Sequence, residues 1–254
     1  MLDHRNYEAL AAVPSGVKPG AEVVTTEIPA KWLDIGATNR WKMFDEIVGR
    51  LITNPRSISG TIQPSAVINS RALINVQDES VTVVMNNPTE GIVASRTYSL
   101  IDGSVDNWCD WFSAKIEFRT SIVALDLPAY GTPSITVTVT SSGTAGIGAL
   151  VIGKTADIGK ALYGTGVGID DYSKKERDPF GSWIVTEGAF SDTAKFLVAV
   201  DTNRVSKIKR MLTDIRAKPV VWVGEENYEA TILYGLLTSF DLVYSGPTVP
   251  VRSK

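Results

Sequence analysis

The sequence predicts a mainly β protein. An N-terminal antiparallel β-sandwich of the jelly-roll or galactose-binding-like type precedes an α+β domain with one helix packed on an antiparallel sheet. Three observations predict this. Residues 57–152 contain about eight short segments of alternating apolar and polar residues without a long helical pattern. Residues 202–217 have the spacing of an amphipathic helix. Between them, residues 153–182 carry six glycines and one proline, which indicates a solvated connection.

Four regions are predicted: an extended N-terminal arm at 1–31, a β-sandwich domain at 32–155, a glycine-rich connector at 156–182 and an α+β domain at 183–254. Prolines and glycines punctuate the arm and few of its apolar residues recur in phase, so we expect only Tyr7 and Leu10 to dock. The next residues, 32–46, carry two tryptophans and a phenylalanine, a density typical of the edge of a core.

Turn signals separate the predicted strands of the sandwich. These strands are ISGTIQ (58–63), ALINVQ (72–77), SVTVVMN (80–86), VASRTYSL (93–100), WFSAKIEF (111–118), SIVALDL (121–127), SITVTVTS (134–141) and GIGALVIG (146–153). Alternation is clearest where Ile135, Val137 and Val139 face one way and the intervening threonines the other. About eight strands without an intervening helix favour an antiparallel sandwich.

The second half changes period. The predicted strands are SWIVTEGAF (182–190) and AKFLVAV (194–200) before the helix, and PVVWVG (219–224), ATILYGLLTSFDLVY (230–244) and TVPVR (248–252) after it. Val205, Ile208, Leu212 and Ile215 form the apolar face of the predicted helix, which we expect to pack on its own sheet. Asp201 or Thr202 is the expected cap, and Pro219 ends the helix.

Composition narrows the function classes. With 254 residues, the chain is long enough for two modest domains with separate cores. A net charge of −3 predicts no nucleic-acid partner, since such proteins carry a basic surface. No run approaches the roughly 18 apolar residues of a membrane-spanning helix, so we expect no membrane insertion. The polar start, MLDHRNYEAL, does not have the pattern of a signal peptide, which predicts synthesis in the cytoplasm.

Residues suited to catalysis are sparse. His4 is the sole histidine and lies in the predicted arm. The sequence therefore supports neither a catalytic triad with imidazole nor a histidine-based metal site. Carboxylates are plentiful, but the sequence singles out no acid/base pair. The one cysteine, Cys109, excludes an intramolecular disulfide. We therefore predict no enzyme activity, no cofactor and no metal site.

One match to a nucleotide-binding motif has a simpler interpretation. Residues 148–155, GALVIGKT, satisfy the G-x-x-x-x-G-K-[ST] expression of a phosphate-binding loop. That loop must be flexible and must lead from a buried strand into a long helix. Here the variable positions are Ala-Leu-Val-Ile, which favour a strand, and Gly159 and Gly164 follow before a long helix can form. The pattern indicates a sandwich strand that ends in a turn.

Tryptophans supply a second candidate chemistry, because sugar rings stack on indole faces. The candidate glycan-stacking residues are Trp111 and Trp41. Alternation around Cys109 predicts that Trp108 and Phe112 share one face and belong to the core. For Trp111, core and platform both stay open.

Four segments carry a resemblance to a known family. WLDIGATNRWKMFD (32–45), GIDDYSKKERDPFG (168–181), RAKPVVWVG (216–224) and ATILYGLLTSFDLVY (230–244) resemble a family of tail proteins of tailed bacteriophages. Members are described as virion structural, tail-tip, baseplate or carbohydrate-binding proteins. In that family the preceding segment often looks like a small chitin-binding-type module with HR-x-YE and a tryptophan pair. Here HRNYEAL (4–10) is present, but Lys31 and Trp32 replace the pair.

The resemblance implies a function without catalytic residues. It implies a non-enzymatic structural component of a phage tail tip or baseplate, which links the tail tube or hub to peripheral fibres or receptor-binding proteins. We expect copies of the chain in a ring or trimer, located in the virion tail. The alternative is a glycan-binding tail module that contacts the host cell surface. A depolymerase or an NTPase ranks last.

Overall fold

Antiparallel strands make up most of the chain, which confirms the prediction of a mainly β protein. The computed structural model describes residues 4–12, 18–19, 31–102, 107–113, 117–242 and 248–253. The chain divides into two units, Met1–Lys154 and Thr155–Lys254. The jelly-roll or galactose-binding-like detail and the predicted domain boundaries stay predictions.

The first unit contains ten described strands and one α-helix. The strands are β1 (Arg5–Ala9), β2 (Trp32–Ala37), β3 (Ile52–Ile62), β4 (Ser70–Val76), β5 (Ser80–Asn87), β6 (Gly91–Ser99), β7 (Ile101–Asp102), β8 (Glu117–Phe118), β9 (Ser121–Ala124) and β10 (Ser134–Gly153). A 3-10 helix spans Asn39–Phe44, and helix α1 spans Trp108–Ser113. The main sheet has the order β6-β5-β10-β4-β9, with β3 also on β10; β1 pairs with β2 and β7 with β8.

The predicted arm begins as part of a sheet. β1 pairs with β2, so Arg5–Ala9 is hydrogen-bonded to the strand that follows the arm. Tyr7 is half-buried there, as expected. The predicted docking of Leu10 is wrong, because this side chain is exposed while its backbone N–H donates to the Lys31 carbonyl.

Strand β10 is the longest element, with 20 residues. Its first half pairs with β5 and its second half with β4, while β3 follows it from Ile135 to Ile147. The prediction of two strands separated by a Ser-Ser-Gly turn is therefore wrong. The turn residues form an irregularity between Thr140 and Thr144, because Thr140 pairs with Ser57 and Thr144 with Pro55 on the same continuous neighbour.

The core of the first unit lies on one face of this sheet. Ile135, Val137 and Val139 are all buried, which confirms the predicted alternation. On the other face Thr136 and Thr138 pair across to β3, with hydroxyl contacts of 2.9 Å to Thr61 and 3.1 Å to Ser59. Other core residues include Ile52, Ile58, Leu73, Val76, Val81, Val83, Met85, Leu100, Ile147 and Leu150.

A buried carboxyl holds the point where β4 gives way to β5. Asp78 Oδ2 accepts a hydrogen bond of 3.0 Å from the Gly146 N–H, on the irregular part of β10. Burial raises the pKa of Asp78 to about 6, against the opposing hydrogen bonds from Gly146 and Ser141. The contact therefore holds the connection between β4 and β5 beside β10. The buried carboxyl binds its proton more tightly than it would in the unfolded chain.

In its described residues the second unit contains ten strands and one α-helix. They are β11 (Lys160–Ala161), β12 (Gly166–Asp171), β13 (Lys174–Arg177), β14 (Trp183–Thr186), β15 (Phe190–Lys195), β16 (Leu197–Asp201), β17 (Val220–Val223), β18 (Ile232–Gly235), β19 (Phe240–Leu242) and β20 (Thr248–Ser253). Helix α2 spans Val205–Asp214, and 3-10 helices span Thr202–Arg204 and Glu229–Thr231. A sheet has the order β11-β16-β20-β19; β12 pairs with β15, β13 with β14 and β17 with β18.

Helix α2 packs as predicted. Val205, Ile208 and Leu212 are buried against Val200 of β16, and Ile215 packs on the edge of this cluster. The predicted cap differs: Asp201 precedes the 3-10 turn and makes no side-chain capping bond. The stretch predicted as a connector, 156–182, also differs, because it contains β11, β12 and β13, which pair with later strands of the same unit.

We expect the first unit to lose stability as the pH rises from about 4 to about 6. The folded pKa of Asp78 exceeds the unfolded value of 3.8, so the folded state holds its proton longer than the unfolded state. Asp78→Asn removes the titrating group, so this loss should disappear. Between pH 4 and pH 7, the free energy of unfolding of the variant should gain roughly 1 to 2 kcal/mol relative to that of the wild type. Urea unfolding of both proteins at the two pH values measures it. If variant and wild type differ in free energy of unfolding by the same amount at both pH values, the pH dependence does not come from Asp78.

Leu212→Asp should unfold the second unit. The substitution buries a carboxylate in the cluster beneath α2, at a cost of more than about 3 kcal/mol. Lys209→Asp is the control, since Lys209 is exposed on the same helix. Limited proteolysis should cleave the Leu212→Asp variant within residues 155–254 and leave the control intact. Resistance of both variants would show that the helix does not pack as described.

Candidate functional site

Trp111 lies on helix α1 beside two other exposed aromatic side chains. Trp108, Trp111 and Phe112 are 80%, 67% and 82% exposed, at the i, i+3 and i+4 spacing of one helical face. The predicted strand at 111–118 is therefore wrong in its first part, as is the core placement of Trp108 and Phe112. The spacing of these residues fits strand alternation as well as a helix, and in the helix all three side chains face solvent.

Trp41 lies in the 3-10 helix Asn39–Phe44 and is only partly accessible. Its indole stacks on His4, with ring centroids 4.0 Å apart and an interplanar angle of 16°. Phe44 contacts it at a tilt, 5.8 Å away. Pairing of β1 with β2 brings His4 to this position, since the Thr38 N–H donates to the His4 carbonyl. One face of the Trp41 indole is thus already covered.

The two candidate tryptophans do not form a shared platform. Within the described part of the chain, the ring contacts of Trp41 are with His4 and Phe44, and Trp111 has no ring contact. Trp111 therefore offers the more open indole for a sugar ring.

The segment 166–195 forms a long β-hairpin whose second half lies largely in the predicted strands 182–190 and 194–200 and whose first half lies in the predicted connector. β12 pairs with β15 and β13 with β14. The two ladders are joined by hydrogen bonds from the Tyr172 N–H to the Ala189 carbonyl and from the Gly188 N–H to Ser173 Oγ, both 3.0 Å. No residue from 166 to 190 is buried.

Asp178 closes the tip of this hairpin. Its Oδ1 accepts hydrogen bonds from the Phe180 N–H at 2.9 Å and the Ser182 N–H at 2.7 Å. Gly181 has a φ of +87°, a conformation that glycine adopts without the usual steric cost. The DPFGS sequence therefore encodes a defined turn.

The two faces of the hairpin differ sharply. Cross-strand pairs share a face, and alternate residues along each strand do so too. One face, here called the apolar hairpin face, presents large side chains that are between 51% and 67% exposed: Val167, Ile169, Trp183, Val185 and Phe190. The opposite face presents mainly small or polar residues, with Ile184 and Tyr172 as its large side chains.

Four charged residues lie among these apolar side chains. Lys175 and Asp171 form an ion pair of 2.7 Å, which places both on the same face. The hydrogen bond from Lys175, with those from Ser173, holds the pKa of Asp171 below its usual range. Arg177 lies over the Trp183 ring, 4.5 Å from its centroid, and Asp192 pairs with Ile169.

The exposed apolar side chains make this hairpin a candidate interaction surface. A two-stranded ribbon is at best marginally stable in water, and a contiguous exposed apolar surface marks a site of interaction. The signal was present in the sequence, as V-x-I in GVGID and W-x-V in SWIVT. SWIVT belongs to the predicted strand 182–190, whereas the glycines around GVGID favour a connector at 156–182.

The match to a phosphate-binding loop is explained by packing. Residues 148–153 belong to β10, which confirms the interpretation of this stretch as a strand. A Cβ on Gly148 would lie 2.5 Å from the Val48 carbonyl oxygen, which itself accepts a hydrogen bond from Asn75. Gly148 is therefore needed for close approach of two backbones.

The described residues contain no metal-ligand cluster and no membrane-spanning helix. No cluster of three His, Cys, Asp or Glu side chains suited to a metal ion occurs among the residues described. None of the described helices has the length and apolar character needed to cross a membrane. No protein family, curated protein or solved structure matches this chain.

Proposed function

We propose that this chain is a non-enzymatic structural component of a bacteriophage tail tip or baseplate, present in several copies in a ring or trimer. In that role it joins the tail tube or hub to peripheral fibres or receptor-binding proteins and resides in the virion tail. The phage assignment rests on the resemblance of segments such as 32–45 and 168–181 to tail proteins. The observation that supports assembly is the apolar hairpin face.

Burial of that face is the physical motive for assembly. Full burial of a large apolar side chain contributes about 1.5 to 3 kcal/mol, and the face presents five of them. Most of this ribbon is held by its own ladders, so docking of one face adds apolar burial that the folded chain does not itself provide. A subunit that carries this hairpin is therefore suited to a multi-subunit structure.

A glycan-binding module is the second candidate, favoured by the exposure of Trp111 beside Trp108 on α1. This candidate also includes the prediction that the first unit is a sandwich of the jelly-roll or galactose-binding-like type. The two functions are compatible, since a tail component can also contact the host surface.

Trp183→Ala should weaken self-association of the purified chain. Loss of a central aromatic side chain from an interface costs about 2 kcal/mol or more, which is roughly a 25-fold rise in Kd. Ile184→Ala is the control, because Ile184 lies next to Trp183 on the opposite face of the hairpin. Sedimentation equilibrium measures both. Equal association constants for the two variants would contradict a role for the apolar hairpin face.

Presence in the virion tests the proposal directly. Mass spectrometry of particles purified from a lysate whose phage encodes the chain should detect it in several copies per particle. A chain absent from such particles, and monomeric at 27.4 kDa in solution, would contradict the structural role.

Trp111→Ala should lower binding to host cells or to a glycan array by about tenfold or more, if the chain binds glycan. Trp41→Ala should have the smaller effect, because His4 already covers one face of that indole. No binding by the wild-type chain would end the glycan-binding candidate and leave the structural one untouched.

A further inference from the structure

We infer that the apolar hairpin face pairs with the same face of a second copy of this chain, across a two-fold axis that passes near residue 173. This inference rests on the proposed assembly function and deepens it, because it names the partner and the geometry. It adds a self-complementary contact to the head-to-tail contacts of a ring or trimer.

The charges on the face are arranged with opposite signs on either side of residue 173. Asp171 lies two residues before this point and Lys175 two residues after it. Asp192 lies on the other strand, level with Ile169, which is four residues before this point, and Arg177 lies four residues after it. A two-fold axis there exchanges the two halves of the face. The acidic half of one copy then lies opposite the basic half of the other: Asp171 faces Lys175 on the same strand, and Asp192 lies diagonally from Arg177 on the neighbouring strand.

The apolar side chains follow the same exchange. Phe190 pairs with Asp171, and Val185 pairs with Lys175. The axis therefore brings Phe190 of each copy towards Val185 of the other, beside the opposed Asp171 and Lys175. Face-to-face packing of β-ribbons at about 10 Å accommodates side chains of this size.

The opposite face of the hairpin lacks this complementarity. Asp170 and Glu176 lie three residues before and after residue 173, so the same axis would bring two carboxylates together. Like charges in direct opposition disfavour pairing. The hairpin thus has one face that fits itself and one that repels itself, which favours a second copy over an unrelated partner as the occupant.

Two charge-reversed full-length variants test the inference. Lys175→Glu/Arg177→Glu makes the charged residues of the apolar hairpin face all acidic, and Asp171→Lys/Asp192→Lys makes them all basic. Lys174→Glu/Lys195→Glu is the control; it changes the net charge by the same amount as the first variant, but on the opposite face. Circular dichroism and thermal unfolding verify that each variant folds.

Each reversed variant alone should self-associate at least about tenfold more weakly than wild type, because like charges then face each other. An equimolar mixture of the two should recover wild-type affinity as a heterodimer, seen by native mass spectrometry. The control should associate as wild type does. Only a contact of a face with itself predicts rescue by mixing.

The remaining outcomes separate this inference from the proposed function. Wild-type association that the reversals leave unchanged, or that mixing fails to restore, overturns the two-fold pairing while the assembly function stands. A wild-type chain that stays monomeric at the highest attainable concentration overturns both.

Discussion

Hydrogen bonding along both edges of β10 is the constraint on which the first unit depends. Every strand of the main sheet lies on β10 or on a strand next to it. Because the 20 residues run without reversal, β3, β4 and β5 must all follow one path, including the irregularity near residues 140–144. Two residues fit the chain to that path. Asp78 is a buried hydrogen-bond acceptor for the Gly146 N–H of β10, and Gly148 lacks the side chain that would collide with the Val48 carbonyl oxygen.

The second unit is organised differently. Its buried cluster beneath α2 is small, with Val200, Val205, Ile208 and Leu212 at the centre. Beyond that cluster the chain extends into a hairpin whose large apolar side chains are exposed. The unit therefore exposes large hydrophobic side chains that its own core does not bury, and five of them share one face of the hairpin. The proposed assembly role rests on this exposed face.

Much of the fold could be predicted from periodicity. The alternation at Ile135, Val137 and Val139 and the helical spacing of Val205, Ile208 and Leu212 both identified core faces correctly, because burial selects for those periods. Predictions failed where local signals had two meanings. The Ser-Ser-Gly sequence of a turn became an irregularity inside β10, and the aromatic residues at 108–112 had both strand and helix spacing. Of the predicted site residues, Trp111 is open and Trp41 is half covered; a stacking partner as distant in sequence as His4 could not be foreseen.

Asp178 and Gly181 give the hairpin a tip that forms locally, before anything covers its sides. Docking would then immobilise a ribbon that is already folded back on itself, so little chain entropy remains to be lost at the encounter. Recognition by a pre-shaped arm of this kind is expected to be fast and limited by diffusion and orientation.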